Sequence, residues 1–144
     1  MPQTQSFATE KSRQSGKLNV TLWILQILLA LLYANAGFLK TFRPIAEIAP
    51  TITWAPSLPE FLVRIIGISE LLGAVGFILP AAFKIRPQLT TLAAAGIATI
   101  MLLANIFHIF RGEYFVLPMT GILFALTAFI AYGRLKLVPF TQKG

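Results

Sequence analysis

Long apolar runs separated by short polar stretches dominate the sequence. Four of them are long enough to cross ~30 Å of hydrocarbon, for which a helix needs about 20 residues. They cover about residues 19–39, 61–80, 88–110 and 114–133. Each run must be helical, because backbone groups in lipid have to be hydrogen-bonded within their own segment. The pattern therefore predicts an all-α fold, a membrane-embedded four-helix bundle that occupies residues 18–137.

The segments outside the spans are of two kinds. Residues 1–17 are rich in Gln, Ser and Thr and predict a disordered cytoplasmic tail, and residues 138–144 form a second short tail. The connection 41–59 holds four prolines together with Ile and Trp residues. Because it is too apolar for a free loop, we expect it to lie along the membrane surface or to fold over the mouth of the bundle.

The first apolar run has a second interpretation. Lys11, Arg13 and Lys17 precede it, and "ANAG" at 34–37 ends it, an arrangement typical of a signal peptide with its cleavage site. Such peptides have an apolar region of about 7–15 residues, and this run is longer and continues past the supposed cleavage site. An uncleaved span is the favoured interpretation.

Composition places the chain among membrane proteins. Only 12% of its residues are charged, the mean hydropathy is +0.76, and the net charge is +7, whereas soluble domains carry about 25% charged residues. The basic residues lie between apolar runs, so no nucleic-acid partner is expected. Cysteine is absent, which excludes a disulfide framework and thiol chemistry, and a single histidine excludes a bis-histidine haem within one chain.

Basic residues gather on one side of the predicted bundle, and this sets its direction. That side carries Lys11, Arg13, Lys17, Lys84, Arg86, Arg134, Lys136 and Lys143. The other side carries Lys40, Arg43 and Arg111, with Arg64 just inside the membrane. Cytoplasmic loops carry an excess of Lys and Arg, so both termini are predicted to be cytoplasmic, in a multi-pass protein of the bacterial cytoplasmic (inner) membrane.

Polar side chains within the spans fall almost entirely in the outer half, away from the termini. They are Asn35, Lys40, Arg64, Glu70, Asn105, His108 and Arg111; the inner half is nearly pure hydrocarbon. Small and polar residues share helix faces, which should bring Lys40 and Glu70 close to the polar residues of the third span. Arg64 is placed to pair with Glu60 or to reach the surface. The sequence thus predicts an outward-facing polar pocket.

Two residues are candidate catalytic groups that handle protons. An acid at mid-depth in a membrane span is a functional-site hypothesis by default, which favours Glu70. Histidine titrates near neutral pH, so His108 could relay a proton or hydrogen-bond a quinone carbonyl. For both residues the alternative is a structural hydrogen bond that locks one helix to another.

The other polar residues are candidate ligand-binding groups: Lys40, Asn105, Arg64, Asn35 and Arg111. Lys40 and Arg111 could bind an anion at the outer mouth, although such residues more often anchor helix ends. The two asparagines more often link helices than line a site. A metal site is not expected, because one His and two Glu at unrelated depths fall short of the usual three or four ligands.

Three stretches resemble a known family. They are "GFLK" at 37–40, "RIIGISELLGAVGFILP" at 64–80 and "ANIFHIFRGE" at 104–113, and in this order they resemble the DoxX-like membrane proteins over about residues 23–134. The resemblance implies a four-helix membrane bundle. The positions of this chain that match the family are Gly37, Lys40, Arg64, Gly67, Glu70, Ala104 and His108. The resemblance does not define which residues are catalytic. Characterised members include the membrane subunit of a thiosulfate:quinone oxidoreductase, so a quinone is the candidate cofactor.

Three functions remain open. The first is a quinone-associated redox membrane component, which would need a soluble or membrane partner subunit because the chain shows no soluble redox domain. The second is a non-catalytic membrane scaffold or assembly factor. The third is a small proton-coupled transporter, for which four short helices would have to form a homo-oligomer to supply a pore.

Overall fold

The computed structural model describes residues 2–140. The helices are α1 (Pro2–Phe42), α2 (Ile45–Ile48), α3 (Glu60–Phe83), α4 (Gln88–Phe110) and α5 (Leu117–Tyr132). Short 3₁₀ turns lie at Ala55–Ser57 and Tyr114–Val116, and a π-helical turn at Gly133–Leu137 continues α5. No strand occurs in residues 2–140, so the predicted all-α fold is confirmed.

Four helices have the length and composition to cross a membrane. They are Pro2–Phe42, Glu60–Phe83, Gln88–Phe110 and the combined segment Tyr114–Leu137. Large apolar side chains such as Leu31, Leu72 and Leu92, each about two-thirds exposed (66%, 67% and 67%), cover their outer faces. Such a surface is suited to lipid and not to water, and the predicted membrane-embedded bundle is confirmed.

The four long helices pack in chain order. α1 contacts α3, α3 contacts α4, α4 contacts α5, and a smaller contact between α5 and α1 closes the bundle. Tyr33, Phe77, Ile97 and Ile130 are fully buried between them. We call the end that carries segment 43–59 and turn 111–116 the loop end. The terminal end carries turn 84–87 and segment 134–140, beside which Asn19 lies on α1.

The N-terminal segment differs from the prediction. Residues 2–17, expected to be disordered, continue α1 as a helix whose side chains are almost all exposed. The physical reason is that extending an existing helix adds one hydrogen bond per residue without a new nucleus, and Gln, Lys, Glu, Arg and Ala are good helix formers. At the other terminus, residues 141–144 of the predicted tail lie outside the described residues.

The helices also differ at single boundaries from the predicted spans. α3 continues past Pro80 to Phe83, where Lys84 adopts a left-handed conformation (φ 54°) that ends the helix. Proline lacks the backbone N–H and so removes one hydrogen bond from the helix. Pro80 lies in the last turns of α3, and the helix continues past it despite this missing bond. The fourth span begins at Tyr114 as predicted, and it ends later than expected because the π turn continues α5 to Leu137.

The proline-rich connection folds over the loop end. Ile48, Ala55 and Val63 form a small buried cluster against which Trp54 and Leu58 pack. Trp54 also makes an edge-on contact with Phe107 of α4, with ring centroids 6.4 Å apart. The prediction that this segment lies on the bundle is therefore confirmed, and the segment covers the side chains described next.

Candidate functional site

The helices α1 and α3 are in tight contact at two glycines. A Cβ atom on Gly37 would lie 2.7 Å from the carbonyl oxygen of Gly67, and one on Gly67 would lie 2.8 Å from the Cβ of Lys40. Small residues let membrane helices come this close. The side chains that follow each glycine on the same face, Lys40 and Glu70, are thereby brought within reach of each other.

Lys40 and Glu70 form a buried ion pair. The Lys40 ammonium donates hydrogen bonds of 2.7 Å and 2.8 Å to the two carboxylate oxygens of Glu70. Lys40 is 7% exposed and Glu70 only 2%. The Trp54 ring lies 5.5 Å from the Lys40 nitrogen, a cation–π distance. The acid at mid-span thus has an opposite charge as its immediate partner, and the connection 43–59 covers that partner.

Arg64 joins the same two helices from the side. Its guanidinium contacts Glu60 at 2.6 Å, the predicted pairing one turn earlier. Its Nη1 also donates to the carbonyl oxygens of Lys40 and Arg43, at 2.8 Å and 2.6 Å. The last carbonyls of a helix lack partners within that helix, so Arg64 caps the C-terminal end of α1.

His108 belongs to a separate group at the loop end. Its Nδ1 lies 2.7 Å from a carboxylate oxygen of Glu113, and its side chain is buried. The other carboxylate oxygen accepts hydrogen bonds of 2.8 Å and 2.9 Å from Arg111. These two partners lower the pKa of Glu113 from 4.5 to about 2, with the Arg111 hydrogen bond the largest cause. His108 is connected to Lys40 through edge-on ring contacts, from His108 to Phe107 and from Phe107 to Trp54, which lies beside the Lys40 nitrogen.

The two asparagines have different surroundings. Asn105 accepts a 2.9 Å hydrogen bond from Thr120 of α5 and donates one of 2.7 Å to the carbonyl of Met101. It therefore connects α4 to α5, as one of the two interpretations expected. Asn35 is exposed on α1 and its side chain has no hydrogen bond to a described residue, so the expectation that it links helices within the chain is wrong.

The half of the bundle towards the terminal end, which was predicted to be nearly pure hydrocarbon, contains a buried polar group. Arg134, 2% exposed, donates 2.7 Å hydrogen bonds to the side chains of Gln26 and Asn19. Gln26 in turn donates to the carbonyl of Phe77 at 2.7 Å. The sequence predicts Arg134 to lie just outside the fourth span, among the basic residues of one side, because it follows Gly133 at the end of the apolar run. The available signal was Asn19 and Gln26, which share one face of α1 at a spacing of two turns.

Two cavities border this terminal-end group. One, of about 460 Å³, is lined by Asn19, Trp23, Lys84 and Phe140 among others, and the second, of about 380 Å³, by Gln88, Thr91, Arg134 and Phe140 among others. The residues predicted to line an outward-facing pocket contribute to neither wall. Lys40 instead bonds Glu70 and accepts a hydrogen bond from Arg64. Asn105, His108 and Arg111 bond other residues of the chain, and Asn35 is exposed.

Charge divides sharply between the two ends. At the loop end every basic side chain has an acidic partner: Lys40–Glu70, Arg43–Glu47, Arg64–Glu60 and Arg111–Glu113. At the terminal end the described basic residues are Lys11, Arg13, Lys17, Lys84, Arg86, Arg134 and Lys136, with Glu10 as the one acid. None of these forms an ion pair within residues 2–140. Nor do three His, Cys, Asp or Glu side chains cluster anywhere in that range.

Comparison with known proteins places the chain in a family. No curated protein and no solved structure matches it. The model of the DoxX-like family matches residues 24–130, most of the chain and nearly all of the four spans. That range includes the Gly37–Gly67 contact, the Lys40–Glu70 pair and His108, the positions on which the resemblance in the sequence was based. The chain is a multi-pass integral membrane protein that belongs to the DoxX-like family.

Proposed function

We propose that this protein is a non-catalytic membrane scaffold or assembly component, whose loop-end polar side chains hold its helices in one arrangement. The observation that carries the proposal is the Lys40–Glu70 pair, in which each carboxylate oxygen is bonded to the ammonium at 2.7–2.8 Å. Both side chains are more than nine-tenths buried. A proton carrier or a ligand-binding acid needs a path to water or ligand, and this acid is enclosed by its own partner.

A buried ion pair whose charges bond only each other favours one arrangement of the helices that carry it. Removing one partner from a buried pair typically costs about 3–5 kcal/mol, because the other charge is left uncompensated. Replacing both partners by apolar residues of similar size is often neutral or stabilising. Lys40 and Glu70 are contributed by α1 and α3, so the pair fixes how these two helices align where the two glycines let them touch.

The difference between single and double replacement tests the proposal. We expect Glu70→Gln to lower the melting temperature of the detergent-solubilised protein strongly, and the double variant Lys40→Met/Glu70→Met to recover most of the loss. Glu47→Gln, in an exposed pair with Arg43, is the matched control and should change little. The double variant should also retain the proteins that copurify with the wild type from native membranes. A proton flux in proteoliposomes that depends on Glu70 would contradict the scaffold.

A second candidate is the quinone-associated redox role, and one observation favours it. His108 bonds Glu113 through Nδ1, and no described residue bonds its Nε2. A carboxylate that accepts the Nδ1 proton leaves Nε2 with a lone pair, which could accept the hydroxyl proton of a quinol. The electrons would have to pass to a partner subunit, and the ring could stack on Phe107 or Trp54.

Mass spectrometry of an organic extract separates the two candidates. The protein should be purified gently from native membranes, alongside the His108→Ala and Asn35→Leu variants. Near-stoichiometric quinone in the wild type and in Asn35→Leu, but not in His108→Ala, would establish the redox role and displace the scaffold. Bulk phospholipid alone in all three samples is the result the scaffold predicts.

We further propose that both termini are cytoplasmic, in a bacterial cytoplasmic membrane. The unpaired basic residues of the terminal end support this, because positive charge is retained on the cytoplasmic side. The chain has no cysteine, so Ser12→Cys and Ser57→Cys, both at exposed positions, place one thiol at each end. A membrane-impermeant maleimide applied to intact cells should label only the Ser57→Cys variant; labelling of Ser12→Cys alone would reverse the orientation.

A further inference from the structure

Arg134 is a buried cation with one guanidinium nitrogen that has no partner among the described residues. Its Nε and Nη1 atoms bond Gln26 and Asn19, and Nη1 also lies 3.4 Å from the carbonyl of Val138. Its Nη2 is buried and has no hydrogen-bond partner among the described residues. The partners it does have are neutral, so they satisfy two nitrogens of the guanidinium without compensating its charge.

An uncompensated guanidinium at this depth is unusual. Buried charges in proteins are normally paired, because removing them from water costs several kcal/mol. The one acid of the terminal end, Glu10, precedes Asn19 by nine residues along α1, about 13 Å at the rise of a helix, and its side chain is exposed. Aromatic faces partly replace a counter-ion: the Phe140 ring lies 3.9 Å and the Trp23 ring 5.7 Å from the guanidinium carbon.

The space beside Arg134 has a volume within the range of ligand sites. The cavity of about 380 Å³ has Arg134, Gln88 and Thr91 in its wall, and ligand pockets begin at about 300 Å³. Leu92 and Leu135, both exposed on the lipid-facing surface, continue the same wall. One side of the cavity is therefore polar and cationic, and the other is continuous with the membrane-facing apolar surface.

We propose that this cavity binds a phosphate group, namely the phosphodiester headgroup of an anionic phospholipid held by Arg134. A guanidinium forms charge-assisted hydrogen bonds to phosphate oxygens, and Nη2 is the nitrogen of Arg134 that has no partner among the described residues. Gln88 and Thr91 supply neutral donors, and Leu92 and Leu135 lie where an acyl chain would leave the site. Free inorganic phosphate shares the headgroup's chemistry but would not use the apolar wall. This inference concerns the opposite end of the bundle from the Lys40–Glu70 pair and does not depend on the proposed function.

The test is a binding titration on the full-length protein in a neutral detergent. Short-chain phosphatidylglycerol, short-chain phosphatidylcholine and inorganic phosphate are added separately, and bound ligand is counted by native mass spectrometry. We expect phosphatidylglycerol to bind in preference to phosphatidylcholine. Arg134→Gln should weaken phosphatidylglycerol binding about tenfold, the usual scale for a lost charge-assisted hydrogen bond. Arg86→Gln, at an exposed basic position of the same end that lines neither cavity, should change binding less than twofold.

A second pair of variants tests the cavity without replacing Arg134, in case Arg134→Gln does not fold. Ala95→Leu adds a side chain to the cavity wall at an exposed position, and Gly96→Leu adds one at the neighbouring exposed position, which has open space around it and lines neither cavity. We expect only Ala95→Leu to reduce phosphatidylglycerol binding. Binding that is equal in the wild type, Arg134→Gln and Ala95→Leu would overturn the proposal. Saturable binding of inorganic phosphate that Arg134→Gln abolishes, without a preference for phosphatidylglycerol, would retain the phosphate site and identify its ligand as the free anion.

Discussion

Gly37 and Gly67 face each other where α1 crosses α3, and neither position has room for a side chain. A Cβ atom on Gly37 would lie 2.7 Å from the Gly67 carbonyl oxygen, and one on Gly67 would lie 2.9 Å from the backbone nitrogen of Thr41. Real Cβ contacts are not this short, so a methyl group at either glycine must push the helices apart. The Lys40–Glu70 pair lies immediately beyond this crossing and depends on it.

Gly67→Ala should therefore destabilise the protein although alanine is the better helix former. We expect a loss of about 1–3 kcal/mol, the usual cost of overpacking a well-packed interface, seen as a lower melting temperature. Gly96→Ala is the matched control, because nothing lies within 4 Å of a Cβ there. It should be neutral or should gain up to about 1 kcal/mol from helix propensity. Equal melting temperatures for the two variants would contradict the close packing of α1 on α3.

Arg64 should contribute more to stability than Arg43, although each arginine forms an ion pair with a glutamate four residues away in the sequence. Arg64→Met removes the hydrogen bonds to the carbonyls of Lys40 in the last turn of α1 and of Arg43 just after it. Hydrogen bonds that involve a charged group are worth about 1.5–3 kcal/mol each. Arg43→Met breaks only an exposed 3.5 Å pair with Glu47, worth about 0–1 kcal/mol. Thermal unfolding in detergent measures both. If Arg43→Met costs as much as Arg64→Met, the capping role is wrong.

Leucine should have opposite effects at the two asparagines. Asn105→Leu removes the hydrogen bond from Thr120 between α4 and α5, and a polar contact between membrane helices is worth about 0.6 kcal/mol on average. Asn35→Leu places an apolar side chain at an exposed position of a span and should be neutral or slightly stabilising. Chemical unfolding in mixed micelles would resolve a difference of this size. A larger loss at Asn35 than at Asn105 would show that Asn35 has a partner in a second copy of the chain.

Acid should weaken the loop end through Glu113. The folded pKa of this carboxyl, about 2, lies below its ordinary value of 4.5. Its contribution to stability is therefore fully present above about pH 4.5 and is lost as the pH falls from there towards 2. The difference in melting temperature between the wild type and Glu113→Gln should be largest near pH 6 and should shrink below pH 4.5. Glu47→Gln, at an exposed position, serves as the control, and a difference that grows in acid would contradict the linkage.

The span pattern and the meeting of Lys40 with Glu70 could be predicted from the sequence for physical reasons. Lipid forces each long apolar run into a helix, and small residues at helical spacing mark the faces that touch. The pairing of Arg64 with Glu60 followed from their spacing of one turn. The spans, the helix faces that touch and the pair one turn apart all follow from residue spacing and from the bilayer. Predicting them does not require the tertiary structure.

Other features depended on contacts that spacing does not encode. The partner of Glu70 is the Lys40 ammonium and not His108, because the ring of Trp54 and the tight α1–α3 crossing decide which side chains meet. Arg134 is buried because the chain continues α5 through a π-helical turn, which periodicity does not reveal. The helix at residues 2–17 was missed since composition describes a segment in isolation, whereas here it continues a helix that is already formed.

The separation of paired from unpaired charges has a kinetic consequence. Four acid–base pairs leave the loop end without net charge, so it projects little field beyond the ~8 Å screening distance of physiological salt. Molecules should therefore meet that end by unsteered diffusion, at rates that salt hardly changes. The terminal end carries the excess positive charge and should attract anions at rates that fall as salt is added. The two ends of this chain should therefore differ in how fast they bind charged molecules and in how strongly salt changes that rate.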